Sequence, residues 1–167
     1  MNSRKTAFMG LLLSFALILS YVESLIPFAF GIPGMKLGLP NLAVVMALYL
    51  FSPIAALLLN CLRIMLAGFL FGNLFSILYA LAGGLVSFFA MCCVKALKAR
   101  PLITSIVGGI CHNLGQILAA IFIVKTIQIA WYFPPLAISG AVTGALIGIL
   151  TERVMPYFKR VLVETQT

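Results

Sequence analysis

A chain of 167 residues that is 63% apolar and 8% charged, with a mean hydropathy of +1.21, lies far from the roughly 45–50% apolar, about 25% charged mix of soluble domains. So small a domain cannot hide that much apolar surface inside itself, so lipid is the natural solvent for most of its side chains. A soluble globule and a disordered chain are both excluded. The formal charge of +8, from 11 Lys/Arg against three Glu and no Asp, is therefore tested first as a topology signal and not as a nucleic-acid surface.

Spans emerge in chain order as stretches of about 20 apolar residues between polar or Pro/Gly punctuation, the length that crosses a hydrocarbon core roughly 30 Å thick. The first covers 6–26 and lacks a small-x-small cleavage site, so it reads as a retained span and not a leader. Residues 27–38 contain Pro27, Gly31, Pro33, Gly34 and Gly38, which predict an unusually apolar loop on the outer side. A short second span covers 39–51, Ser52-Pro53 breaks the chain, and a third covers 54–71. Gly72-Asn73 turns into a fourth over 74–94, a basic loop follows, and the fifth and sixth cover 102–124 and 131–150.

Charge parity supports that count. Arg4/Lys5, Lys95/Lys98/Arg100 and Arg153/Lys159/Arg160 share the cytoplasmic side only if an even number of crossings separates successive clusters, as four spans and then two provide. The expectation is an all-α integral membrane protein, one domain over 1–167, with six transmembrane helices and both termini inside. Trp131, Tyr132 and Phe133 fall where an interfacial aromatic belt would lie. Cys61, Cys92, Cys93 and Cys111 sit in apolar runs without ligand spacing and read as small apolar packers.

Small residues recur at helical spacing: Thr6, Gly10 and Ser14 in the first span, Ala80 and Gly84 in the fourth, Gly140, Gly144 and Gly148 in the sixth. The last two ridges predict close internal packing of helices, whereas the first either packs internally or faces a partner subunit.

Arg63 is the sharpest signal. It falls near mid-span, where a cation costs at least about 2.5 kcal/mol unless water, a partner or a ligand compensates it. Asn60, Arg63 and Ala67 share one helical face, and His112, with Asn113 and Gln116 beside it, lies on an inward stripe of the fifth span at a similar depth. Two polar stripes at one depth predict a cavity. Glu23 either pairs with Arg63 and merely fixes helix register, or leaves Arg63, with Lys36 from the loop, to bind an anionic ligand whose polar edge His112, Asn113 and Gln116 read. For His112 a plain interhelical hydrogen bond is the alternative. The loop 27–38, with Phe28, Phe30, Ile32 and Met35, is either a lid over that cavity or a segment dipping into headgroups.

Catalysis is not expected. The chain has no Walker A motif, no Asp-rich motif, no G-x-S-x-G and no paired His or Cys/His set for a metal, so neither a cofactor nor a metal is anticipated.

Three segments carry a family likeness: Gly31-Ile-Pro-Gly-Met-Lys-Leu-Gly-Leu-Pro-Asn41, Arg63-x-x-x-Ala67-Gly68-x-x-Phe71-Gly72, and His112-Asn113-Leu114-Gly115-Gln116. From about Ala7 to Arg153 the sequence resembles the bacterial Gx transporter family, also known as heptaprenyl diphosphate synthase component I. That family is similar in size and layout to the S components of energy-coupling-factor (ECF) vitamin transporters, in which a separate scaffold and ATPases supply energy. The resemblance implies an S-component-like bundle in a bacterial cytoplasmic membrane that captures a small anionic, partly apolar metabolite from outside: a vitamin, flavin, quinone or isoprenoid precursor. It implies a gate at 27–38 and scaffold docking through Thr6, Gly10 and Ser14, which depart from the usual Ala-x-x-x-Ala form. The expected ligand-facing set is Arg63, Asn60, His112, Asn113, Gln116, Lys36, Asn41 and Glu23. A second reading is a non-catalytic membrane partner of heptaprenyl diphosphate synthase, of quinone biosynthesis or of flavin-linked electron export.

Overall fold

The computed structural model describes residues 3–25 and 38–164. Its regular elements are α1 (Ser3–Leu25), α2 (Asn41–Leu50), α3 (Pro53–Phe71), α4 (Leu74–Ala96), α5 (Pro101–Val124) and α6 (Phe133–Glu164), with a 3-10 turn at Ile127–Tyr132 leading into α6. Lys36 and most of the expected gating loop, residues 27–37, lie outside the described residues.

The local signals that punctuate the sequence act as capping chemistry. Ser52 caps α3 by accepting from the Ala55 amide at 3.2 Å, with Pro53 at the first helical position, where its missing N–H costs nothing. Asn73 and Ser76 form a reciprocal capping box at the start of α4: Asn73 Oδ1 accepts from the Ser76 amide and Ser76 Oγ from the Asn73 amide.

Five helices, all but α2, are long and apolar enough to cross a membrane. Leu11, Ile18, Ile54, Phe69, Phe89 and Phe122 are large side chains directed outward, an arrangement that lipid solvates and water would not.

The second helix departs from the expectation. Its ten residues reach about 15 Å at 1.5 Å per residue, half the hydrocarbon thickness. Asn41 at its start lies beside Arg63, midway along α3. At its other end the Leu48 carbonyl accepts from Lys95 Nζ, and the Tyr49 hydroxyl donates to the Ala99 carbonyl and lies 2.7 Å from Thr104 Oγ1. Leu42 through Leu48 are all buried, so α2, expected as a short span over 39–51, is a ten-residue helix enclosed by its neighbours. A helix apolar on every side suits protein surroundings as well as lipid, which is why composition alone could not separate the two.

The sixth helix is longer than expected, continuing through Pro156 to Glu164 and not ending near 150. Glu152 and Arg153 mark the end of the apolar stretch without ending the helix, because Val154 and Phe158 still pack on the core and Phe158 meets Phe8 edge-on at 6.3 Å.

That contact brings the start of α1 to the end of α6, and Arg100 in the α4–α5 turn pairs with Glu152 of α6 at 2.8 Å. The cationic segments around Lys5, Lys95–Arg100 and Arg153–Arg160 thus gather at one end of the bundle. At the opposite end Tyr21 of α1 packs on Phe71 of α3, ring centroids 5.1 Å apart.

The fourth and sixth helices use their small-residue ridges internally, as expected. A methyl group on Gly144 would lie 2.5 Å from the Ser105 carbonyl oxygen, and one on Gly148 would lie 2.6 Å from Leu102 Cα, so α5 and α6 touch backbone to backbone. Gly84 likewise admits Ile64 and Asn60 of α3. Thr6, Gly10 and Ser14 differ: they are exposed on α1, with open space beyond Gly10 and the Ser14 hydroxyl folded back on the Gly10 carbonyl at 3.0 Å.

Candidate functional site

Between α1, α3, α4, α5 and α6, toward the end away from the basic clusters, lies a cavity of about 370 Å³. Glu23, Asn41, Arg63, His112, Asn113 and Gln116 all line it, so six of the eight residues singled out in the sequence converge. They come from α1, the start of α2, α3 and α5, and only the tertiary fold brings them together.

Arg63 is 9% exposed, and its partners are amides. Nη2 donates to Asn60 Oδ1 at 2.8 Å and to Asn41 Oδ1 at 3.3 Å, while Nε is buried with no hydrogen-bond acceptor among the described residues. Two neutral oxygens orient the guanidinium, and the Glu23 carboxylate on the same cavity wall acts on its charge through space.

Asn60 plays a different part from the one expected. It does not line the cavity; its Oδ1 holds Arg63 and its Nδ2 donates to the Gly84 carbonyl at 3.2 Å, so both faces of the amide are used in positioning. Glu23 also lines the cavity and accepts from the Gly38 amide at 2.6 Å, which anchors the chain just before α2 at a glycine with φ of +68°. Asn113 donates to the Leu136 carbonyl at 2.6 Å, fixing α5 against the first turn of α6. His112 has its space from Gly83, where a methyl group would fall 2.7 Å from the His112 carbonyl oxygen and 3.1 Å from its ring.

Sequence reasoning missed Ser20 and Ser24 on α1, Ser76 on α4 and Thr143 on α6 as lining residues. Ser20 and Ser24 follow Glu23's face at helical spacing and were open to detection; Ser76 read only as a turn residue, and Thr143 was lost inside the glycine ridge. The remaining wall includes Ile64, Ala67 and Phe71, so the cavity pairs one buried cation and several amides and hydroxyls with apolar surface.

The model of the family Heptaprenyl diphosphate synthase component I matches residues 12–154. The chain belongs to that family. Nothing among curated proteins or solved structures matches it. The heptaprenyl diphosphate synthase component I match spans every residue that lines the cavity, from Ser20 to Thr143, but stops short of Thr6, Gly10 and the last turns of α6.

Proposed function

We propose that this chain is a membrane-embedded binding subunit that captures a small anionic, partly apolar metabolite from the outer side, in the manner of the ECF S components to which its family is similar in size and layout. The observation that carries this reading is Arg63: a buried cation at mid-bundle, held by neutral amides and lining a cavity within the usual volume range of small-molecule sites. Arg63 binds the anionic group, His112, Asn113 and Gln116 contact its polar edge, and Ile64 and Phe71 cover its apolar part. The basic end faces the cytoplasm, both termini with it, so the cavity opens outward and the chain crosses with α2 as a half-span. Binding, not catalysis, is its task, and any energy for uptake comes from separate subunits, with the outward ridge at Thr6, Gly10 and Ser14 as the docking face.

The test is to purify the chain gently and identify co-eluting small molecules by mass spectrometry, then repeat with Arg63→Met. A ligand retained by the parent and lost from a folded variant supports the site; equal retention by both removes it.

The family match favours a second reading, a non-catalytic membrane partner of heptaprenyl diphosphate synthase. Selective co-purification of a prenyl synthase, with no bound small molecule, would support that reading over the first.

A further inference from the structure

A second, much smaller cavity of about 20 Å³ lies where α2, α4, α5 and α6 meet. It shares Gly38, Asn41, Gly109 and Thr143 with the large one, so it forms a recess in the floor of the same space. Ser87 of α4 and Ser105 of α5 line it, and each is only 4% exposed.

Helical serines at membrane depth ordinarily satisfy their hydroxyl by bonding the carbonyl one turn back. Ser20 does so to Ala16 at 2.8 Å, and Thr151 to Ile147 at 2.8 Å. Ser87 and Ser105 make no such bond among the hydrogen bonds of the described residues, and both line the recess. Two hydroxyls left dry in an apolar bundle are costly, by roughly 1–3 kcal/mol each on mutational scales. A buried water needs about 10–15 Å³ and two to four polar partners, and this recess supplies both.

We infer that Ser87 and Ser105 hold an internal water in this recess, bridging α4 to α5 beneath the ligand cavity. A monovalent cation fits the recess less well: Asn41 Oδ1 is already engaged by Arg63, whose charge repels a second cation, and no carboxylate lines the wall. Asn41 and Thr143, which face both spaces, place this water next to any occupant of the larger cavity. The water site stands whether or not that cavity binds a metabolite.

The experiment combines an experimental structure of the full chain in lipid at about 2 Å with hydroxyl-radical labelling of its methionines. The expected result is density within roughly 2.5–3.0 Å of both Oγ atoms. Met91, which lines the recess, should be oxidised about threefold or more faster than Met46, buried in α2 away from it. Ser87→Ala combined with Ser105→Ala should bring the Met91 rate down to that of Met46. Both serines rotated onto their own helix carbonyls with no density between them, or equal Met91 and Met46 rates in the parent chain, would overturn the inference. Density that depends on sodium and vanishes in choline would overturn it as well. The parent-chain measurements decide the matter even if the double variant does not fold.

Discussion

Arg63 carries a charge that a bilayer opposes, yet its hydrogen-bond partners are two asparagine oxygens. Removing its head without its bulk should separate the roles of charge and packing. Arg63→Met keeps most of the volume but removes the cation and strands Asn60 Oδ1, so it is expected to lower stability by about 1–3 kcal/mol and to weaken ligand binding at least about tenfold, or 1.4 kcal/mol. Arg63→Ala should lower stability by about a further 2–5 kcal/mol, since it also leaves a cavity. Thermal unfolding in detergent alongside ligand titration distinguishes the two. The position and importance of Arg63 were legible because a lone cation in an apolar run stands out against its surroundings. Asn60 was misread as a ligand contact, because spacing places it on Arg63's face without revealing that Gly84 of α4 takes its other end.

Among the helices, α2 owes its placement to side chains that reach its C-terminal carbonyls from neighbouring elements. Lys95→Met should destabilise the fold by about 1.5–3 kcal/mol through loss of a charged donor to the Leu48 carbonyl, and Tyr49→Phe by about 1 kcal/mol. Chemical or thermal unfolding of the two variants checks this, with little change in ligand affinity expected because both lie at the end away from the cavity. Glycines give a second contrast between elements. Gly144→Ala should cost about 1–3 kcal/mol by forcing α6 off the Ser105 carbonyl, whereas Gly10→Ala meets open space and should stabilise α1 by about 0.5–1 kcal/mol. If Gly10→Ala leaves the isolated protein intact but weakens capture of a partner, the outward ridge is a docking face; unchanged capture would assign it to lipid.

For the molecule as a whole, the proposed orientation has a direct readout. With the four native cysteines replaced, a membrane-impermeant maleimide applied to intact cells should label Gln128→Cys, in the exposed turn at the cavity end, and spare Lys159→Cys at the basic end. The reverse pattern would place the cavity mouth in the cytoplasm and end the outside-capture reading. The separate cationic segments gather at one end because each helix reverses the direction of the one before it, α2 included.

By itself the sequence determined the membrane environment, the helical class, most helix starts, and Arg63 and His112 as inward polar groups. Each of these follows from local composition, capping chemistry or the 3.6-residue period, and none requires knowing a neighbour. The tertiary structure alone decided that α2 is a short helix enclosed by its neighbours, that α6 continues past its apolar stretch, that Asn60 supports Arg63 instead of lining the cavity, and that Ser87 and Ser105 line one recess. Burial in protein and burial in lipid select the same residue types, so a sequence can report that a segment avoids water without reporting what surrounds it.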